Sequence, residues 1–96
     1  IHILFNNNSH DSVGGQKTPS DKISFCEIAT NIGYSHSYKA TNKLEIKKFL
    51  KLGLKKKASF FLEIKCVKGH RNNLIRPDKK IENYKKSFMS FLKKVS

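Results

Sequence analysis

The chain opens with IHILFNNNSHDSVGGQKT (residues 1–18), an apolar run followed directly by a polar segment that contains paired glycines. Ile1–Phe5 is short and apolar with two β-branched residues, a pattern that favours a buried strand. Asn6, Asn7 and Asn8 follow it without a spacer. Ligands of open α/β sheets bind just beyond the carboxyl ends of strands, so this polar segment is predicted to be a site and not merely a connection.

The rest of the chain alternates between helical and strand patterns. Ser37–Ala40 and Ala58–Val67 are the two further predicted strands. Asn42, with Glu45 three residues later, has the form of a capping box and predicts the start of the second helix, which Gly53 and a lysine run are expected to end. The apolar positions of the three predicted helices are Phe25, Ile28, Ala29 and Ile32; Leu44, Ile46, Phe49, Leu50 and Leu54; and Ile81, Tyr84, Phe88, Phe91, Leu92 and Val95.

The order β-α-β-α-β-α predicts an α/β fold, with parallel strands, right-handed crossovers and helices on both faces of a three-layer structure. In Ala58–Val67, Leu62 and Ile64 alternate with Glu63 and Lys65, so one side of this strand is predicted to be partly exposed to water. The last helix has the clearest apolar period and is expected to pack against another apolar surface.

Length and terminal sequence place the chain among small domains or parts of larger ones. At 96 residues it buries only about two-thirds of its unfolded surface. It starts at Ile1 and enters a strand at once, which predicts a partial chain. No apolar run of the length needed to cross a membrane and no signal-peptide pattern is present, so we expect a cytoplasmic protein without a membrane partner.

The two cysteines, Cys26 and Cys66, lie far apart and have no CxxC spacing or nearby histidine pair. They are predicted to be buried free thiols, as suits a reducing compartment. The formal net charge of +13 raises nucleic acid as an alternative partner. Because the lysines are spread over nearly every predicted element and no RNP-like strand or Cys/His finger is present, a solvated lysine surface is favoured over nucleic-acid binding.

Three stretches resemble thiamine diphosphate-dependent enzymes. Phe5–Thr18 resembles the segment that begins with the paired asparagines closing their metal-binding motif, and its HDSVGGQ is similar to phosphonopyruvate decarboxylases in particular. Ile23–Tyr34 (ISFCEIATNIGY) resembles the helix that follows in those enzymes. Lys68–Phe88 (KGHRNNLIRPDKKIENYKKSF) resembles their closing segment, in which a KGxRxxLxRP pattern precedes the last helix. The resemblance spans nearly the whole chain.

The resemblance implies that residues 1–96 are the carboxyl-terminal portion of the diphosphate-side domain, with a partial thiamine diphosphate-binding fold. It implies thiamine diphosphate and Mg²⁺ as cofactors, with the Asn7 side-chain oxygen and the Ser9 carbonyl as metal ligands and His10 as the catalytic residue near substrate. The motif's acidic ligand should lie before Ile1, so weak or unmeasurable Mg²⁺ affinity is expected for this chain alone. The other residues that the resemblance places at the cofactor are Ser12, Gly14, Gly15 and Gln16.

Each of these residues also has a structural alternative. Asn6 to Asn8 suit an Asx turn that ends the strand, and His10 suits an exposed loop histidine. A Ser/His/Asp hydrolase triad made of His10, Asp11 and Ser12 fails on geometry, because consecutive loop residues seldom converge as nucleophile, base and orienting group. Arg71 and Arg76 follow the last predicted strand, where a guanidinium suits a phosphonate, sulfonate or carboxylate. Here the chain departs from the family pattern, with His70 and Ile75 before the two arginines, so a structural turn is an equal alternative.

The resemblance implies a segment of a lyase that converts phosphonopyruvate to phosphonoacetaldehyde and carbon dioxide. The Glu that activates the cofactor belongs to a separate pyrimidine-binding domain, so the isolated chain is predicted to be inactive and to need that domain or subunit as a partner, within a parent enzyme that is a homo-oligomer. A sulfopyruvate decarboxylase large subunit would share this segment. A basic nucleic-acid-binding module and an inactive fragment acting as an assembly surface are the alternatives from other classes.

Overall fold

A computed structural model describes residues 1–75 and 77–95. It confirms the predicted element order, with two single 3₁₀ turns added between the first strand and the first helix. The strands are β1 (His2–Asn6), β2 (His36–Ala40) and β3 (Phe60–Lys65), and the helices are α1 (Phe25–Asn31), α2 (Lys43–Lys55) and α3 (Ile81–Val95). The 3₁₀ turns are Asp11–Val13 and Pro19–Asp21.

The strands form one parallel sheet in the order β1-β3-β2, so the last strand is central and the chain is an α/β protein. Helix α2 packs against the face that presents Phe60, Leu62 and Ile64. Helix α1 lies on the opposite face, where Ala29 lines a groove together with Phe61. The chain travels across the sheet from β1 to β2 and then back to β3. Crossovers of one hand therefore place the two helices on opposite faces, as the three-layer prediction requires.

The larger core lies between α2 and the sheet. Tyr38 stacks on Phe49 there, with ring centroids 4.7 Å apart. Gly53 was expected to end the helix, but α2 continues to Lys55 and Gly53 is buried within it. A Cβ atom at Gly53 would lie 3.0 Å from the Phe60 ring, so glycine allows the close approach of helix and strand. The buried cluster is Ala40, Phe60, Leu62 and Ile64, with Tyr38, Ile46, Phe49, Leu50 and Leu52 packed against it.

The prediction that one side of the third strand is partly exposed to water holds for the half-buried Lys65 and is wrong for Glu63. Phe60 to Ile64 are all buried, and Glu63 is only 2% exposed. The physical reason is the strand order, which places β3 between two neighbours and gives it a helix on each face. Parallel strands covered on both faces do not show a wet side, whatever their sequence alternation.

Helix α3 contains no buried residue among those described, in contrast to the expectation that it packs on another surface. Helices α1 and α2 already contact β2 and β3. The apolar side of α3 remains exposed, and Phe88 on that side is 60% exposed. Within the described residues, no helix has the length and apolar character needed to span a membrane.

Both cysteines are free, as predicted, but neither is fully buried. Cys26 is half-buried on α1, and Cys66 is exposed because it lies just past the last residue of β3. The prediction that both thiols are free therefore agrees with the structure, whereas the prediction that they are buried is wrong.

Candidate functional site

The segments that follow β1 and β3 meet at one edge of the sheet, because these two strands are parallel neighbours. The Cys66 N–H donates to the Asn6 carbonyl at 2.9 Å and extends the ladder past the strand ends. Beyond it, the Lys68 ammonium donates to the Gly15 carbonyl at 2.6 Å. The polar segment that follows β1 lies at this end of the sheet. We call its residues 7–18 the carboxyl-end loop.

Two of the three consecutive asparagines, Asn6 and Asn8, point into the protein. Asn6 is buried, and its Nδ2 donates to the Glu63 carboxylate at 2.6 Å. Its Oδ1 accepts from the Asn8 N–H at 3.1 Å and from the Ser20 hydroxyl at 3.0 Å. Asn8 Oδ1 lies 2.7 Å from the same hydroxyl and accepts from Lys65 Nζ at 2.9 Å. These side chains hold the start of the loop against the sheet.

Asn7 has a different set of partners, all within the loop itself. Its Oδ1 accepts from the Ser9 N–H at 3.1 Å, and its Nδ2 donates to Asp11 Oδ2 at 2.8 Å. The first bond and its counterpart from Asn8 to Asn6 are consecutive Asx turns, the structural alternative that the sequence offered. An amide oxygen has two lone pairs, so one bond from Ser9 leaves Asn7 Oδ1 with further accepting capacity.

The backbone turns sharply at Asn8, whose φ of +56° lies in the left-handed region. The loop then returns as a small hairpin, in which the His10 N–H donates to Gln16 O at 2.8 Å and the Thr18 N–H to Asn8 O at 3.0 Å. Ser9 is paired with Lys17 between these two bonds, so neither bond uses the Ser9 carbonyl. The proposed metal-ligand oxygens of Asn7 and Ser9 therefore both retain accepting capacity.

Paired glycines allow a backbone to approach a ligand closely, and the resemblance places Gly14 and Gly15 at the cofactor. Gly14 and Gly15 do have positive φ, +116° and +74°. The space beside Gly15, however, holds Lys68, whose Nζ would lie 2.7 Å from an added Cβ. The space beside Gly14 holds the side chain of Gln16, with Nε2 2.8 Å from an added Cβ. The close approach at this turn is thus made by side chains of the protein.

Asp11 connects the two segments of the site. Its Oδ2 accepts from the Gly69 N–H at 2.8 Å, and this bond is the main cause that lowers the pKa of Asp11 below its ordinary value of 3.8. The Asn7 amide and the Lys68 charge also lower this pKa. The nearby Ser9 hydroxyl also lowers the pKa of Asp11, although its oxygen lies outside hydrogen-bonding geometry with any described residue.

A cavity of about 280 Å³ opens where β1 ends, beside the carboxyl-end loop. Leu4 and Ile23 contribute apolar surface to it, and Asn7, Ser9 and Ser20 contribute amide and hydroxyl groups. The Ser9 hydroxyl oxygen is buried and has no hydrogen-bond partner among the described residues. Buried polar atoms are normally satisfied, so this oxygen is free to bond a ligand or water.

The remaining predicted site residues are solvent-exposed. His10 and Ser12 are exposed at the start of the hairpin turn, and Gln16 is exposed at its end. Arg71 is exposed in the segment after β3, and its carbonyl accepts from the Leu74 N–H at 3.2 Å, a turn like the one offered as its structural alternative. Arg76 lies outside the described residues.

The chemistry of the donors fits part of a Mg²⁺ site. Asn7 Oδ1 and the Ser9 carbonyl are hard oxygen ligands of the kind that Mg²⁺ accepts, and both are neutral. In residues 1–75 and 77–95 no group of three or more His, Cys, Asp or Glu side chains is placed to hold a metal. Asn7 and Ser9 thus supply neutral ligands only, and a bound phosphate or another polypeptide can supply negative charge.

Two charged residues of β3 that contact the asparagines were not predicted to belong to the site. Glu63 and Lys65 were assigned to a wet face of β3, yet they contact Asn6 and Asn8 respectively. The signal for them is a charged residue in the middle of the apolar run FFLEIK, with an opposite charge two residues later on the same face.

Comparison with family models, with curated proteins and with solved structures finds no match for this chain.

Proposed function

We propose that the chain is the carboxyl-terminal portion of the diphosphate-side domain of a thiamine diphosphate- and Mg²⁺-dependent 2-oxo acid decarboxylase, most like phosphonopyruvate decarboxylase. One observation carries the proposal. Asn7 Oδ1 and the Ser9 carbonyl, the oxygens that the resemblance makes metal ligands, lie at the carboxyl end of a parallel strand with accepting capacity to spare. This is the sheet edge at which α/β proteins bind ligands.

In this proposal each loop residue has a defined task. Asn7 and Ser9 would hold Mg²⁺, whose positive charge would offset the negative charge of the cofactor's diphosphate. Ser12, Gly14, Gly15 and Gln16 form the turn beside the cofactor, and the exposed His10 faces the substrate. When bound, thiamine diphosphate supplies the electron sink that lets carbon dioxide leave a 2-oxo acid. The protein contributes the placement and the electrostatic environment.

The proposed site is incomplete within this chain. The pair of neutral oxygens needs a charged ligand to bind Mg²⁺ tightly, and the proposal assigns that ligand and the cofactor-activating Glu to other parts of the enzyme. We therefore propose a pyrimidine-binding domain or subunit as partner, a homo-oligomeric parent enzyme and no activity for the isolated chain. Free thiols at Cys26 and Cys66 agree with a cytoplasmic location.

The substrate is a small 2-oxo acid whose second anionic group distinguishes the candidates. Phosphonopyruvate carries a phosphonate there, and sulfopyruvate carries a sulfonate. Among the described residues, the exposed Arg71 is the candidate for contacting that group with its guanidinium. Arg76 follows five residues later in the sequence. A bidentate guanidinium contact suits either anion, so both substrates remain within the proposal.

A second candidate function, an assembly surface without its own activity, has an observation in its favour. β1 is an edge strand, and Ile3 and Phe5 on one of its faces are 38% and 69% exposed. Exposed apolar residues on an unprotected strand edge favour pairing with another chain. This role is compatible with a half-site and becomes the sole function if no cofactor binds.

Titration of the ¹⁵N-labelled chain with millimolar thiamine diphosphate, with and without Mg²⁺, tests the proposal because chemical shifts report even weak binding. We expect amide shift changes concentrated in residues 7–16 that require both Mg²⁺ and cofactor. Asn7→Ala should remove these changes. Asn73→Ala, which alters an exposed asparagine in the segment after β3, is the matched control and should retain them.

Two results would count against a specific half-site. Shift changes that occur without Mg²⁺ and spread over the lysines of α2 and α3 would indicate simple attraction between phosphate and surface charge. Absence of any shift change at millimolar cofactor, both for the chain alone and with a pyrimidine-binding domain added, would leave the assembly surface as the function.

A further inference from the structure

Glu63 is an acidic residue at a buried position, which is unusual for a glutamate. It lies in the middle of the central strand and is 2% exposed. Its carboxylate accepts from Asn6 Nδ2 at 2.6 Å, and Lys65 Nζ is 3.9 Å away. A buried charge is costly unless it is well paired, and replacing such a pair by apolar residues of similar volume is often neutral or stabilising. The stability of the sheet therefore does not by itself explain a glutamate at this position.

The chemistry of Glu63 fixes the orientation of the Asn6 amide. An ionised carboxylate only accepts hydrogen bonds, so Asn6 must present its NH₂ group to Glu63 and its oxygen to the other side. On that other side the oxygen accepts from the Asn8 N–H and lies 3.0 Å from the Ser20 hydroxyl, whose single proton it shares with Asn8 Oδ1. With the amide reversed, an oxygen would face the carboxylate and an NH₂ group would face the Asn8 N–H.

Lys65 has the complementary effect on Asn8. An ammonium only donates, so Asn8 must present its Oδ1 to Lys65 Nζ, at 2.9 Å. Asn8 is the residue with φ of +56° that turns the chain between Asn7 and Ser9. The opposite charges of Glu63 and Lys65 thus orient the amides on either side of Asn7.

We propose that Glu63 is a positioning residue, which with Lys65 sets the amide orientations of Asn6 and Asn8 and so holds the Asn7 side chain and the Ser9 carbonyl in place as ligands. The ligand role of Asn7 and Ser9 rests on the proposed function, but the effect of Glu63 on the conformation of the loop does not. Neither charged residue touches the ligand in this account. They act through the asparagines, as partners behind metal ligands do elsewhere.

The variant Glu63→Gln tests the proposal, because glutamine keeps the size of the side chain but both donates and accepts. Ile64→Val is the matched control, since it trims a buried side chain on the other face of the same strand. Two readouts are needed: the NMR shifts and exchange rates of the Asn6 side-chain NH₂ and of the Asn8 and Ser9 backbone amides, and the broadening of the Ser9 amide by Mn²⁺ with thiamine diphosphate.

We expect Glu63→Gln to move the Asn8 and Ser9 resonances, to speed exchange of the Asn6 NH₂ group and to weaken Mn²⁺ binding by about tenfold, the usual cost of losing such a partner. Ile64→Val should change neither readout. If Glu63→Gln does not fold, Lys65→Met provides the test, because Lys65 is half-buried and methionine keeps its apolar stem. It should move the same amides.

Unchanged Asn8 and Ser9 amides in Glu63→Gln, or in Lys65→Met if that variant is used, would overturn the positioning role. Equal shifts in Ile64→Val would also overturn it, since the effect would then reflect general loosening of β3. If the unmodified chain binds no Mn²⁺ with the cofactor, even with a pyrimidine-binding domain added, but Glu63→Gln still moves these amides, the proposed function fails while the conformational role of Glu63 is upheld.

Discussion

At the scale of single residues, three adjacent asparagines have different environments. Asn6 is buried against Glu63, Asn8 contacts Lys65 and Ser20, and Asn7 bonds only within the loop. The sequence predicted a polar segment at the end of a strand and left open a ligand role or an Asx turn for it. The structure contains the turns, and they leave the oxygen of Asn7 able to accept another bond.

The division of roles predicts how substitutions at Asn8 behave. Asn8→Gly loses the contacts of Oδ1 with Ser20 and Lys65 but keeps the left-handed backbone at little cost, so we expect destabilisation by about 1 kcal/mol. Asn8→Ala loses the same contacts and also strains the backbone, which raises the expected loss to about 2 kcal/mol. Urea unfolding of the two variants measures the difference. Equal stabilities would contradict the left-handed geometry at Asn8.

Asp11 predicts a pH response of the connection between the two segments. Its pKa is lowered in the folded chain, chiefly by the Gly69 N–H, so the ionised form is favoured by folding. The stabilisation is therefore fully present well above the ordinary pKa of 3.8 and is lost as the pH falls through the lower folded value. The Gly69 amide shift, followed by NMR in acid, should titrate with Asp11. In Asp11→Asn this titration should disappear; its persistence would assign it to another group.

At the scale of elements, the start of α2 could be predicted because it depends on local bonds. Asn42 Oδ1 accepts from the Glu45 N–H at 2.9 Å, and the Glu45 carboxylate accepts from the Thr41 N–H at 2.7 Å. This confirms Asn42 as the N-cap, while the bond from the Glu45 side chain reaches Thr41, one residue before the cap. The burial of β3 could not be predicted from its own alternation, because it follows from the strand order, a property of the whole sheet. Glu63 was missed for that reason.

The cap of α2 gives a prediction at this scale. Removing an N-cap side chain costs about 1 kcal/mol, and we expect that loss for Asn42→Ala. Ser24→Ala is the comparison at α1, where the serine oxygen lies 3.4 Å from the Glu27 N–H, so a smaller loss is expected. Thermal unfolding of both variants compares them. A larger loss at Ser24 would show that cap geometry does not control these helix starts.

At the scale of the whole molecule, the ordered core and the last helix are distinct in their packing. Phe60 is 1% exposed beneath α2, whereas Phe88 on α3 is 60% exposed. The sequence predicted an apolar face on both α2 and α3 but did not indicate which of these faces packs against the rest of the chain. That outcome depends on how much sheet surface α1 and α2 leave uncovered.

A pair of identical substitutions tests this description. Phe60→Ala empties part of a packed core and should cost about 3–5 kcal/mol. Phe88→Ala removes an exposed side chain and should change the free energy of unfolding by less than about 0.5 kcal/mol. Denaturant unfolding of the whole chain gives both values. A loss at Phe88 comparable to that at Phe60 would mean that α3 is packed in solution, against this chain or a second copy.

The carboxyl-end loop is proposed to bind a cofactor-bound divalent metal through Asn7 and Ser9. Mn²⁺ accepts the same oxygen ligands as Mg²⁺ and broadens NMR signals near it, so it reports the location of the metal directly. With thiamine diphosphate present, we expect the strongest broadening at the Asn8, Ser9 and His10 amides, and its loss in Asn7→Ala. Broadening centred on surface carboxylates such as Glu27 or Glu82, or the same pattern without thiamine diphosphate, would contradict the claim.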